Sequence, residues 1–135
     1  MRSRLLTIGT FDLFHAGHAA FLRQCERFAG EVVVGVNSDA FVTGYKGQAP
    51  IFDERERVGF IRALGYPVKI NDGPGRTLIE DVEPDVIAIG TDWARRDYFA
   101  QIDTPVEYFE RLGIVLVYIP YTQGISSTII KERLA

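Results

Sequence analysis

The sequence predicts an α/β fold, a single domain built on a doubly wound parallel sheet of about five strands. Short apolar runs rich in β-branched residues alternate with segments whose apolar residues recur at helical spacing. The strand-like runs are continuous rather than alternating in polarity, which marks strands covered on both faces. A chain of 135 residues, 47% hydrophobic, is long enough for one core and too short for two comfortable ones, so 1–135 reads as one domain.

The elements follow in order. Leu5 to Ile8 is a short buried strand ended by Gly9-Thr10. Phe21, Leu22, Cys25, Phe28 and Ala29 keep helical spacing, with Gly30 as the stop. Val32 to Val36 is the second strand, and Asn37 to Ala49, polar and glycine-containing, reads as a long loop. Val58, Ile61, Ala63 and Leu64 give the next helix, ending near Gly65 and Pro67. Val68 to Ile70 is a short third strand, followed by the turn Asn71 to Gly75 and a short helix over Thr77–Asp81. Val86 to Ile89 is the fourth strand. Val106, Phe109 and Leu112 form a helix closed by Gly113, and Ile114 to Ile119 is the fifth strand, stopped by Pro120. Ser126 can cap a last helix running through Lys131 to Leu134. The alternation is that of a Rossmann-like sheet.

Composition narrows the function. A formal net charge of -3 argues against nucleic acid or an anionic membrane as partner, since both call for a basic surface. No apolar run approaches a membrane span, and the basic start is followed by too short an apolar stretch for a signal peptide. The lone Cys25 cannot form an intramolecular disulfide. The expectation is a cytoplasmic protein.

Open parallel sheets bind ligands beyond the carboxyl ends of their strands, at a topological switch point. The first strand is followed by Gly9-Thr10-Phe11-Asp12-Leu13-Phe14-His15-Ala16-Gly17-His18, which holds both histidines of the chain. Two imidazoles at the entrance to a helix offer directional donors to phosphate oxygens, and Gly17 allows close backbone approach. A capping turn with incidental histidines is the plain alternative. A zinc site would need Cys25, a turn or more away, and a carboxylate, so no metal ligands are assigned. Gly90-Thr91-Asp92-Trp93-Ala94-Arg95-Arg96 follows strand 4, and Tyr121-Thr122-Gln123-Gly124-Ile125-Ser126-Ser127-Thr128 follows strand 5. Each also reads as an ordinary helix cap. With strands 1 and 4 as neighbours, all three segments converge on one cleft, within reach of Lys46 and of Arg55, Arg57 or Arg62.

These residues resemble the cytidylyltransferase family of small nucleotidyltransferases. Gly9-Thr10-Phe11-Asp12 with His15-x-x-His18 is similar to that family's HxGH signature, and Ile125-Ser126-Ser127-Thr128-Ile129-Ile130-Lys131 to its ISSTxxK signature. Gly90-Thr91-Asp92-Trp93, Asn37-Ser38-Asp39 with Lys46, and Glu56-Arg57-Val58 fit further segments. The likeness runs from Leu5 to Leu134 and is nearest to the glycerol-3-phosphate cytidylyltransferases.

The resemblance implies transfer of a nucleotidyl group from CTP to a small phosphorylated alcohol such as glycerol 3-phosphate, with pyrophosphate released. It implies His15, His18 and Lys46 as catalytic residues. It implies nucleotide contacts from Gly9, Thr10, Phe11, Asp12, Gly17, Asp92, Trp93, Tyr121, Thr122, Gly124, Ile125, Ser126, Ser127 and Thr128, and acceptor contacts from Asp39 and Arg57. Mg2+ would enter with the triphosphate, and a homodimer is expected. Two departures stand out. Tyr121 occupies the place of an arginine in the glycerol-phosphate members, and their second arginine falls on Gly65 or near Arg62. The alternatives are an adenylyltransferase using ATP on another phosphorylated acceptor, and a nucleotide-binding module without turnover.

Overall fold

The structure, a computed structural model, describes residues 2–90 and 97–120. Five strands, β1 (Arg4–Gly9), β2 (Glu31–Asn37), β3 (Val68–Asn71), β4 (Val86–Gly90) and β5 (Val115–Ile119), form one sheet in the order β3-β2-β1-β4-β5. Every pairing is parallel. The chain moves outward from β1 to β3, then returns to place β4 on the other side of β1. The switch point expected between strands 1 and 4 is therefore present.

The period of two along each strand sends neighbouring residues to opposite cores. Leu5, Val32, Val34 and Val36 meet Phe21, Leu22 and Cys25 of α1 (Ala16–Cys25) and Val58 and Ile61 of α3 (Glu54–Ala63). Leu6, Val33, Ile87 and Ile89 meet the other side. There stand Leu78, Ile79 and Val82 of α4 (Gly75–Val82), Tyr98 of α5 (Tyr98–Gln101) and Phe109 of α6 (Val106–Leu112). Leu5 and Leu6, adjacent in sequence, are both 0% exposed, so both faces of the sheet are covered. The double winding read from the continuous apolar strands is thus present. No helix among the described residues is long and apolar enough to cross a membrane.

Three local readings are corrected. Asn37–Ala49 is not a long loop, because Asp39–Lys46 forms a helix, α2. Ser38 Oγ accepts the Phe41 N–H at 3.1 Å, Asp39 lies in the first turn, and Gly47 closes the helix at φ 80°. Polar composition hid a helix whose start and stop signals were both present. The first helix ends at Cys25 rather than at Ala29, and Phe28 is half-exposed. The short helix after β3 is longer than Thr77–Asp81, spanning Gly75–Val82, and α5 has no counterpart in the sequence reading. The last helix, together with Asp92, Trp93, Tyr121, Thr122, Gly124, Ile125, Ser126, Ser127 and Thr128, lies outside the described residues.

Candidate functional site

The site is built on the turn that follows β1. Phe11 and Leu13 both hold left-handed backbone, at φ 55° and 49°, which side chains with a Cβ adopt only under constraint. The buried Asp12 between them supplies one constraint. Its Oδ1 accepts the Leu13 N–H at 3.0 Å and the Phe52 N–H at 3.0 Å, and its Oδ2 accepts the Ile51 N–H at 2.9 Å. Asp12 thus staples the turn to the segment before α3. The Phe11 ring lies so close over Gly9 that a Cβ there would come within 2.9 Å of it. Gly9 is required for that close approach.

The histidines open α1 as a reciprocal cap. His15 is the N-cap residue, and its Nδ1 accepts the Gly17 N–H at 3.0 Å. His18 sits three residues on, and its Nδ1 accepts the His15 N–H at 3.3 Å. The histidines therefore do cap the helix, and capping does not exclude a functional role. With Nδ1 of each ring accepting, the proton of the neutral imidazole lies on Nε2. Both rings are held as Nε2–H donors. They stack at 3.9 Å, and His18 lies against Phe11 and Phe14 at 5.5 and 5.2 Å.

Burial favours the uncharged form of both. Removal from water, with a smaller contribution from the neighbouring His15 and some opposition from Asp12, brings the His18 pKa down to about 3. Burial also lowers the pKa of His15. Near neutral pH the pair is two neutral donors rather than two cations.

Arg57 belongs to the support of the site. It is 0% exposed. Its Nε donates to Phe52 O at 3.0 Å, and its Nη1 donates to Thr10 O at 2.9 Å and Asn37 O at 2.7 Å. Its Nη2 pairs with Asp39 Oδ1 at 2.7 Å. Asp39 in turn is locked to α3, since its N–H donates to Glu54 Oε1 at 3.0 Å and its Oδ2 accepts the Glu54 N–H at 3.1 Å. The two residues expected at the acceptor are thus brought together, but as a clamp between the ends of β1 and β2 and the starts of α2 and α3. Arg55 and Arg62 lie exposed on α3.

Thr10 is half-buried at the end of β1. Its Oγ1 accepts from Asn37 Nδ2 at 3.3 Å and lies 3.2 Å from the Tyr45 hydroxyl of α2. Lys46, the last residue of α2, is exposed, with its ammonium 5.9 Å from the Tyr45 ring. The structure gathers Gly9, Thr10, Phe11, His15, Gly17 and His18 in one turn and brings Lys46 next to a contact of Thr10. Sequence reading gave Asn37 only as part of a family segment and missed Tyr45 and Asn71, since isolated polar residues at strand and helix ends carry no motif.

The sequence profile described as cytidylyltransferase-like matches residues 6–133. The bifunctional protein HldE of Magnetococcus marinus is 33% identical over 135 residues, which cover 97% of this chain and 27% of that protein. An FAD synthase of Thermococcus kodakarensis is 39% identical over 93 residues, 66% of this chain and 62% of that one. The chain therefore spans about a quarter of the bifunctional relatives. Among solved structures, a lipopolysaccharide core biosynthesis protein from Thermoplasma volcanium superposes with a TM-score of 0.70 at 26% identity, covering 90% of this chain and 98% of that one.

Proposed function

This chain belongs to the cytidylyltransferase-like family, and on that premise we propose that it transfers a nucleotidyl group from a nucleoside triphosphate to a phosphorylated acceptor. One observation carries the proposal. His15 and His18 commit Nδ1 to the backbone and keep Nε2–H as the remaining donor, with their rings stacked in the turn after β1. In the proposed step an acceptor phosphate oxygen bonds to the α-phosphorus while the bond from that phosphorus to the β-bridging oxygen breaks. Pyrophosphate leaves with the bonding electrons. Charge builds on phosphate oxygens, and preorganised neutral donors stabilise it without losing a proton. Lys46 supplies a mobile positive charge, and Thr10 a hydroxyl. Asp92, Trp93, Tyr121 and the Ile125–Lys131 signature keep the nucleotide roles that the resemblance implies.

Adenylyl transfer is the better-supported base choice. FAD contains an adenylyl unit, one relative is named an FAD synthase, and Tyr121 stands where glycerol-phosphate members carry an arginine. CTP with glycerol 3-phosphate is the second reading, resting on the overall likeness to the glycerol-3-phosphate cytidylyltransferases. Among the described residues no three His, Cys, Asp or Glu converge to hold a metal ion. Mg2+ is proposed as a companion of the triphosphate, held by few protein ligands. A homodimer is proposed with this reading; light scattering that finds only a 15.2 kDa species would end that part.

The test is pyrophosphate release from ATP and CTP against glycerol 3-phosphate, sugar phosphates and flavin mononucleotide. Release with one pair, lost in His15 and His18 variants, is the expected result. Nucleotide binding without release from any pair would leave a binding module instead.

A further inference from the structure

The carboxyl edge of the sheet ends in a polar row. Asn37 of β2 is the register partner of Asn71 of β3, and Gly9 of β1 is opposite Val36, so the next residue, Thr10, falls beside Asn37. Asn37 and Asn71 are 5% and 2% exposed. Buried amides cost stability unless bonded, and these are bonded in one direction. Asn71 Nδ2 donates to Asn37 Oδ1 at 2.9 Å, and Asn37 Nδ2 donates to Thr10 Oγ1 at 3.3 Å. Thr10 Oγ1 therefore receives its inner hydrogen from Asn37. A hydroxyl has one hydrogen of its own, and here that hydrogen is left for the outer side, where Tyr45 stands at 3.2 Å.

We propose that Asn71 and Asn37 are positioning residues that set the polarity of the Thr10 hydroxyl, holding it as an outward O–H donor for a phosphate oxygen of the substrate. This rests on the nucleotidyl-transfer reading above. The two ends of each amide are not equivalent in the relay. An ionised carboxylate at position 71 only accepts. Asn37 would then turn its Nδ2 toward that carboxylate and its Oδ1 toward Thr10, and the threonine hydrogen would be drawn inward. Aspartate at position 37 has the same consequence, because it accepts from both neighbours. Either change reverses the relay with almost no change of shape.

The experiment is a pair of double-mutant cycles on pyrophosphate release and ATP binding with wild type, Asn71→Asp, Asn37→Asp, Thr10→Val, Thr10→Val/Asn71→Asp and Thr10→Val/Asn37→Asp. Asn71→Asp and Asn37→Asp should each lower kcat/KM by about ten-fold or more, the scale of a lost hydrogen bond to a charged oxygen. In the Thr10→Val background, which has no hydroxyl to aim, Asn71→Asp should cost at most about two-fold further. An equal loss in both backgrounds would overturn the proposal, since repulsion or general disturbance does not depend on the hydroxyl. So would wild-type kinetics in Asn71→Asp. If Asn71→Asp does not fold, Asn37→Asp decides through its own cycle. If the wild type releases no pyrophosphate from any pair, the functional reading has failed instead. The cycles are then read on binding of inorganic tripolyphosphate, where equal affinity of wild type and Asn71→Asp overturns the relay.

Discussion

Replacing Arg57 by Ala separates a buried support from an acceptor ligand. The native guanidinium is 0% exposed and bonds the carbonyls of Phe52, Thr10 and Asn37 and the carboxylate of Asp39, all within 3.0 Å. Alanine leaves all four acceptors without it. Breaking a buried ion pair by removing one partner costs about 3–5 kcal/mol. The Asp39 side chain is 36% exposed, which moves the electrostatic share toward the lower end. Carbonyls left dry cost about 1–3 kcal/mol each, and water entering the cavity meets part of that. The net expectation is about 3 kcal/mol. At this chain length that lowers Tm by about 10 °C. Arg57→Lys should fall between wild type and Ala, because one ammonium cannot span all four acceptors. Thermal melts and urea titrations give the answer. Lost turnover with Tm moved by less than about 2 °C would refute the reasoning and restore Arg57 to the acceptor.

The remaining predictions concern the turn and α2. His15→Asn should keep the helix cap and Tm while turnover falls about a hundred-fold, because Asn caps well but lacks the Nε2 donor; steady-state kinetics beside a melt checks both. His15→Ala should lose the same turnover and also about 1 kcal/mol of stability, measurable as a shift in urea midpoint. Both histidine pKa values are depressed on folding, so the unfolded chain binds more protons below about pH 6.5, and stability should fall as pH drops through that range toward 3. Urea unfolding at pH 5 and pH 7 measures this, and His18→Gln should flatten the difference. Lys46→Ala should weaken nucleotide binding and turnover with Tm unchanged, as befits an exposed residue; an unaltered kcat/KM would make it a solvated helix end.

The parts of the fold that declared themselves in the sequence are those where one local pattern determines the outcome. Val32 to Val36 reads as a buried strand because only a strand covered on both faces tolerates such a run. Gly113 reads as a stop because its φ of 71° closes α6 without a Cβ clash. The histidine pair was visible as composition and spacing. Its Nε2–H tautomers were not, because they follow from which backbone N–H each ring meets. The partners of Arg57 were hidden for a related reason. Within Asp53-Glu54-Arg55-Glu56-Arg57 every residue looks solvated, yet Asp53 caps the helix while Arg57 turns inward to carbonyls 20 and 47 positions away. α2 was missed because composition outweighed the Ser38 and Gly47 signals. The polar row of Thr10, Asn37 and Asn71 is made by register, which one strand at a time does not reveal.

The stapled turn bears on the time course of folding. Beyond the local bond from Leu13 to Asp12, the bonds that anchor Thr10 and Asp12 beside the left-handed Phe11 and Leu13 come from residues 39 to 47 positions later in the chain. Left to itself, the segment from Gly9 to His18 would relax to extended or right-handed backbone, since each left-handed residue costs about 1–3 kcal/mol. Loop closure over that distance has to come first. The first motif of the chain therefore acquires its working shape only after α3 has docked. A peptide cut to residues 9–25 should show neither the stacked imidazoles nor protected Leu13 and Gly17 amides. In the intact chain the Leu13 amide should exchange with solvent through openings that also release α3, so that the histidine turn and the helix behind it form one kinetic unit.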